Sequence, residues 1–213
     1  MNQPLTRIAE AAEFRATLER EGADFGVPLT PGRIEQLTAY YELVKVWNPR
    51  LHLVAPCGAD EFARRHVLES LFALTLLPPD AALVDVGSGA GLPSLPCLIV
   101  EPSLRGTLIE ASPKKAVFLR ECTSALRLSA RTTIVNKRFE QTLPAHADAL
   151  TCRALDRFGE LLPQLLRWAK HVKTVLLFGG MTIENQLTTL AVDFQTIHLP
   201  HSEQRKIFVV RNK

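Results

Sequence analysis

Apolar positions in the first 80 residues repeat at helical spacing and predict an N-terminal helical extension over residues 1–80. Thr30-Pro31 is a helix start signal, because a capping hydroxyl precedes a proline at the first helical position. A further helix is predicted from a cap at Asp60 to the break at Pro78-Pro79. The clearest apolar stripe follows Thr30-Pro31 and has members three or four residues apart: Ile34, Leu37, Tyr41 and Val44.

From residue 82 onward, strand-like and helix-like segments alternate, which predicts an α/β core over residues 81–213 with a parallel sheet covered on both faces. The last two strand-like runs, 194–199 and 206–211, are joined by a polar loop and should pair as an antiparallel hairpin. The prediction is a mostly parallel seven-stranded sheet with an antiparallel last strand, in one structural domain with the extension. The other predicted strands are 82–86, 106–110, 132–136, 148–152 and 173–178, and the helices between them are 92–101, 113–128 and 156–171.

A glycine-rich turn follows the first predicted strand. Gly87, Gly89 and Gly91 give the spacing G-x-G-x-G, which differs from the G-x-G-x-x-G of dinucleotide-binding folds. Asp85 lies within the strand before the turn, and Glu110 ends the next strand, where an acid can hold ribose hydroxyls. This pattern resembles the cofactor motif of Rossmann-like S-adenosylmethionine (SAM) methyltransferases. The alternative is a strand-to-helix corner that needs small residues and binds nothing.

Further candidates stand near the carboxyl ends of the strands, where open α/β sheets bind ligands. Phe139 could flank an adenine ring and Glu140 could accept its amino group, although the pair also suits an ordinary helix start. Arg153 ends the fourth strand and would face the reactants, or form a surface salt bridge. Asp85 could accept from turn amides, face the methionine ammonium group, or be purely structural.

A basic cluster of Arg64, Arg65 and His66 lies in the predicted helix before the first strand. Two guanidinium groups and an imidazole at successive positions could contact RNA phosphates. A solvated helix face, with His66 packed or capped, is the alternative. No catalytic triad is evident, because the G-x-S-x-G motif is absent.

The composition of the chain serves mainly to exclude classes of protein and kinds of site. The chain has 213 residues, 46% of them hydrophobic, and a formal net charge of +3, which is too small to indicate nucleic-acid binding by itself. Its four cysteines form no C-x-x-C pair, so we expect reduced thiols and no metal site. No long apolar run or basic-then-apolar leader is present, so we expect a cytoplasmic protein with no membrane contact.

Taken together, the motifs resemble the bacterial glucose-inhibited division protein B family, the 16S ribosomal RNA guanine-N7 methyltransferases. The resemblance runs in one order over residues 29–180. The chain departs from the family at His52-Leu53-Val54, where Asn-Leu-Thr is commoner, and at Phe178, where a lysine before glycine is usual. The segments that carry it are Leu29-Thr30, Lys45-Val46-Trp47-Asn48, Arg65-His66-Val67-Leu68-Glu69-Ser70, residues 84–93, residues 115–120 and Cys152-Arg153-Ala154.

The resemblance implies a class I methyltransferase fold, SAM as cofactor with S-adenosylhomocysteine as product, and 16S ribosomal RNA or the small ribosomal subunit as partner. Arg65 and His66 fall in the family's helix near the RNA. Arg153 would orient the cofactor or the reacting guanine and would not act as a general acid or a general base. We expect a monomer that does not bind DNA. A SAM methyltransferase acting on a small molecule, with the helical extension as a lid, and a non-catalytic SAM- or RNA-binding protein remain alternatives. The residues expected to contact SAM are Asp85, Gly87, Gly89, Leu92, Glu110, Phe139, Glu140 and Arg153.

Overall fold

The computed structural model of the protein describes residues 3–143, 147–153 and 158–212. The strands are β1 (Ala82–Val86), β2 (Arg105–Ile109), β3 (Thr132–Val135), β4 (Ala149–Arg153), β5 (Thr174–Gly179), β6 (Gln195–His198) and β7 (Lys206–Arg211). The α-helices are α1 (Gln3–Glu21), α2 (Pro31–Leu51), α3 (Ala59–Glu61), α4 (Glu69–Leu71), α5 (Ser94–Val100), α6 (Pro113–Ala125), α7 (Phe158–Trp168) and α8 (Met181–Thr189).

The strands form one seven-stranded sheet in the order β3-β2-β1-β4-β5-β7-β6. Strands β1 to β5 are parallel, whereas β7 pairs antiparallel with both β5 and β6. The predicted α/β fold and its antiparallel hairpin are therefore confirmed. Val86 lies opposite Ile109 of β2 and Cys152 of β4, so the carboxyl ends of the three central strands meet at one edge.

Two apolar layers cover the sheet. Side chains alternate along a strand, so Leu83 joins one buried cluster while Val84 joins the other. The first cluster also contains Phe14 and Tyr40 of the N-terminal helices, whereas the second contains Leu162 of α7. The N-terminal helices thus pack into the same core as one face of the sheet.

Local start signals explain where the regular helices begin. The Thr30 hydroxyl accepts from the Arg33 amide at 3.4 Å, and the Ser112 hydroxyl accepts from the Lys115 amide at the same distance. The predicted cap at Thr30 is therefore confirmed, and Ser112 before Pro113 caps α6 in the same way. The predicted cap at Asp60 is wrong, because Gly58 holds the N-cap position and Asp60 lies in the first turn of α3.

The helical region before β1 is irregular. Between α3 and α4 the chain forms a π-helical segment, Phe62–Leu68, and a 3-10 segment, Phe72–Leu76, follows α4. In the π-helical segment the Glu69 amide donates to the Arg64 carbonyl, five residues back. Such wide turns redirect side chains and are frequent at functional sites.

The remaining differences from the predictions are local. Helix α8 was not predicted, because only Ile183 and Leu187 of its sequence are buried, which makes a stripe too short to detect. The predicted helix 156–171 is observed as α7, and its first two positions lie outside the described residues. Among the residues described, no helix is long and apolar enough to cross a membrane.

Candidate active site

A cavity of about 590 Å³ opens at the carboxyl ends of β1, β2 and β4. Its turn side is formed by residues 87–89, Glu110 and residues 139–140, and its helix side by residues 53–55, His66 and Arg153. Three predicted residues, Asp85, Arg64 and Arg65, do not line it. The predicted residues that do are Gly87, Gly89, Leu92, Glu110, Phe139, Glu140, Arg153 and His66.

The glycine turn is fastened to the end of β2. The amides of Gly87 and Ser88 both donate to the Ile109 carbonyl, at 2.9 and 3.2 Å. Gly91 has φ +84°, and a Cβ there would lie 2.3 Å from Cδ1 of Leu95 in α5. Only glycine therefore allows the turn to pass this close to the helix that follows it.

Glu110 connects β2 to the glycine turn. Its Oε2 accepts from the Gly89 amide at 2.8 Å, and its Oε1 accepts from the Ser112 amide at 2.7 Å. The Asn136 side chain donates to the Glu110 carbonyl at 2.8 Å, which ties this corner to the residue after β3. An ionised carboxylate offers about four acceptor positions. Glu110 can therefore hold the turn and still accept from hydroxyl groups of a ligand.

Asp85 lies behind the cavity wall. Its side chain is completely buried, Oδ1 accepts from the Thr151 hydroxyl at 2.8 Å, and Oδ2 has no partner among the described residues. Burial raises the pKa of the Asp85 carboxyl to about 7. The structure therefore joins Asp85 to β4, and gives it no contact with the turn amides through its side chain.

Phe139 and Glu140 occupy a short 3-10 turn, Phe139–Gln141, after β3. Phe139 is buried and meets Trp168 of α7 edge to face, with ring centroids 5.9 Å apart. The Trp168 indole donates to the Thr142 carbonyl at 2.8 Å, which fixes α7 against this turn. Phe139 thus presents a fixed apolar surface to the cavity, while the Glu140 side chain beside it is exposed.

Arg153 belongs to a buried charge cluster that the sequence did not reveal. Its Nη2 donates to the Arg65 carbonyl at 2.6 Å and to Oε2 of Glu69 at 3.3 Å. Glu69 is 1% exposed, and its other oxygen accepts from Nε of Arg205 in the β6–β7 connection. The Arg153 guanidinium also lies over the Phe178 ring, 5.6 Å from its centroid. Arg153 is therefore held from three sides before any substrate binds.

The predicted basic cluster is divided among three directions. Arg64 pairs with both carboxylate oxygens of Glu21 in α1, at 2.7 and 2.9 Å, and this pairing holds the pKa of that carboxyl well below its usual range. Arg65 is exposed and pairs with Glu61. His66 instead lines the cavity. Successive residues of a helix point in directions about 100° apart, so the three side chains reach different surroundings.

A loop after α2 completes the helix side of the cavity. The Asn48 side chain donates to the Val54 carbonyl at 3.1 Å and accepts from the Val54 amide at 3.0 Å. This two-bond clasp holds residues 53–55 against the cavity. The Trp47-Asn48 pair was noted in the sequence, but the clasp could not be foreseen without the loop's path.

Comparison with known proteins identifies the family of this chain. A family model described as rRNA small subunit methyltransferase G matches residues 33–207. "Ribosomal RNA small subunit methyltransferase G" from Rhodospirillum centenum is 37% identical over 180 residues, 84% of this chain and 80% of the relative. The protein of the same name from Pseudomonas putida is 30% identical over 200 residues, 88% of this chain and 90% of the relative.

The fold has a matching solved structure. An RNA methyltransferase from Salinibacter ruber in complex with S-adenosyl-L-homocysteine superposes with a TM-score of 0.53 at 17% identity. The match covers 68% of this chain and 88% of that one. At this identity the likeness concerns the fold alone. The family match and the two relatives show that the chain belongs to the rRNA small subunit methyltransferase G family, whose members are SAM-dependent enzymes.

Proposed function

We propose that the protein transfers a methyl group from SAM to N7 of a guanine in 16S ribosomal RNA. The observation that carries the proposal is the cavity at the strand ends, where the glycine turn, Glu110 and Phe139 face Arg153 and His66. The family supports ribosomal RNA as the substrate class. The choice of N7 follows the resemblance of the sequence motifs to guanine-N7 methyltransferases.

The turn side of the cavity suits the cofactor. Glu110 retains acceptor capacity for two ribose hydroxyls while it holds the Gly89 amide. Phe139 offers an apolar face for adenine, and Glu140 a carboxylate that can accept from the exocyclic amino group. A volume of about 590 Å³ lies within the ordinary range for small-molecule sites. Behind the turn, the Asp85 side chain joins β1 to β4 through its bond to Thr151.

The helix side suits the methyl acceptor. When bound, the cofactor supplies an activated methyl group on its sulfonium. Guanine N7 is an unprotonated acceptor, so its methylation requires no general base. The task of the chain is then to align N7 with the methyl carbon and to exclude water, which is positioning catalysis. Arg153 serves as an orienting group, because the Glu69 cluster and the Phe178 ring fix its guanidinium.

The rim offers cations for the RNA backbone. Lys115, Lys137 and Arg138 line the cavity, and Arg65 is exposed nearby on the π-helical segment. Phosphate contacts hold and orient a nucleic acid but carry little sequence information. We assign Arg65 to this role before Arg64, because the Arg65–Glu61 pair is exposed, whereas Arg64 makes two bonds to the more buried Glu21. His66, from inside the cavity, would contact the RNA at its reacting base.

The proposed location, oligomeric state and partners of the protein follow from this substrate. The protein would act in the cytoplasm, where ribosomes assemble, as a monomer on 16S RNA or the small subunit, and without DNA. The test maps N7-methylguanosine in ribosomal RNA from cells with and without the gene. We expect one 16S position to lose its methyl group and to regain it on complementation. Unchanged ribosomal RNA together with loss of a methylated metabolite would overturn the proposal in favour of a small-molecule enzyme.

A further inference from the structure

Of the described side chains that line the cavity, His66 alone has a buried polar atom without a hydrogen-bond partner. Its Nδ1 is buried and has no hydrogen-bond partner among the described residues. The ring packs against Phe62, with centroids 5.1 Å apart, and lines the same wall as Arg153. A buried polar atom without a partner costs free energy, which a bound group can recover. His66 therefore lines the cavity with one ring nitrogen unsatisfied, and a bound group that reorients the imidazole could complete its hydrogen bonding.

The surroundings of His66 keep the imidazole neutral. Burial is the largest cause that lowers the pKa of His66, to about 3, and the positive charges of Arg153, Arg65 and Arg205 act in the same direction. The nearby carboxylate of Glu69 is engaged by Arg153 and Arg205. A neutral imidazole has one donor and one acceptor nitrogen, whereas the salt-dependent part of phosphate binding comes from cations. His66 is thus suited to a base edge, which presents both donors and acceptors.

We propose that His66 selects and orients the methyl-acceptor guanine by hydrogen bonding to its edge as a neutral side chain. The inference rests on the proposed function and assigns to His66 a role distinct from phosphate binding. The two roles separate experimentally, because a lost phosphate contact lowers the salt slope of RNA binding by about 0.7–0.9, and a lost base contact leaves the slope unchanged. His66 is a positioning residue in this scheme, and N7 itself needs no proton transfer.

The test compares wild type with His66→Ala, His66→Asn and His66→Gln, and uses His171→Gln as the control. His171 is exposed and follows α7 at the opposite edge of the sheet from the cavity. Each protein is assayed for SAM affinity by calorimetry, for salt-dependent binding to 16S RNA, and for methyl transfer to small subunits from cells that lack the gene. The two amides each replace one imidazole nitrogen, which keeps the test valid if the alanine variant does not fold.

We expect His66→Ala to lower kcat/KM for the RNA substrate by about 10- to 100-fold, the size of an unpaired buried hydrogen-bonding group. One amide variant should recover part of that loss, and SAM affinity, salt slope and the control should match wild type. Because His66 stays neutral, titration of its side chain should not change kcat/KM between pH 6 and 8. The pH profiles of wild type and His66→Gln should therefore have the same shape in this range. A reduced salt slope, weakened SAM binding or unchanged kcat/KM would overturn the role of His66. Absence of transfer by wild type would instead overturn the proposed function itself.

Discussion

The two sides of the cavity are built in different ways. The turn side uses backbone amides and residues next to strand ends, such as Gly89 and Glu110, which lie near one another through the β1–β2 crossover. The helix side depends on side chains far apart in the chain, since Glu69 joins Arg153 of β4 to Arg205 of the β6–β7 connection. A local motif can thus specify a cofactor site, whereas the acceptor site depends on the completed tertiary structure.

The largest expected effect comes from Glu69→Ala, which removes the carboxylate between two arginines. Breaking a buried ion pair from one side typically costs roughly 3–5 kcal/mol, because the remaining charge is left without a partner. We expect a loss of that size in urea unfolding, with Glu61→Ala, an exposed pair on the same helical region, changing stability little. Unchanged stability would mean that solvent, and not Glu69, balances the two arginines.

Glu110→Ala tests the turn side. We expect it to weaken SAM binding by about 1–3 kcal/mol, because hydrogen bonds to a charged acceptor are lost. Glu110→Gln, which keeps one acceptor oxygen, should lose less. Calorimetry measures both, and Glu184→Ala on α8, which pairs with Lys206 away from the cavity, is the control. Normal SAM affinity in a folded Glu110→Ala protein would move the ribose contact to another residue.

The buried Asp85, behind the turn side, should make the stability of the protein depend on pH. The pKa of this carboxyl is about 7 in the folded protein, above its ordinary value of 3.8. The folded state therefore binds more protons than the unfolded state between these values, and stability falls as pH rises from about 4 to about 7. The free energy of unfolding, measured across this pH range, should decline more steeply for wild type than for Asp85→Asn. Parallel curves would show that Asp85 is ionised at little cost.

Arg65 and Arg64 give the smallest predicted effect. They compare a cation in an exposed ion pair with Glu61 against a cation held by both carboxylate oxygens of the more buried Glu21. Arg65→Ala should reduce the salt slope of RNA binding by about 0.7–0.9 and leave SAM affinity unchanged. Arg64→Ala should change the slope less, because Glu21 already pairs with that guanidinium. Binding assays at several salt concentrations compare them. Equal slopes for both variants and wild type would exclude Arg65 as a phosphate contact.

The turn side of the cavity could be predicted from the sequence, whereas most of the helix side could not. Strand positions, the glycine turn, and the location of Glu110 and Phe139 at the cavity could be predicted, because alternation and spacing are local properties. The direction of His66 could not, since the side of its helical segment that faces the cavity is fixed only when the helical extension packs on the sheet. Nor could the role of Glu69, because its partners lie on distant strands and loops.

Asp85 shows a second reason why a site residue cannot be located from the sequence alone. Its position beside the glycine turn suggested a cofactor contact, yet a strand side chain points to one face or the other by its register. In this register the carboxylate meets Thr151 of the neighbouring strand, which is paired directly opposite Asp85. Proximity in sequence placed Asp85 at the site, and the sheet determined that it lies behind the cavity wall.

The most direct test of the central claim uses purified protein, SAM labelled in the methyl group, and small ribosomal subunits from cells that lack the gene. Digestion and mass spectrometry then locate the label in the RNA. We predict one labelled nucleoside, N7-methylguanosine in 16S RNA, formed by wild type and strongly reduced in Glu110→Ala. A folded protein that binds SAM yet labels another atom, another RNA or no RNA at all would contradict the claim.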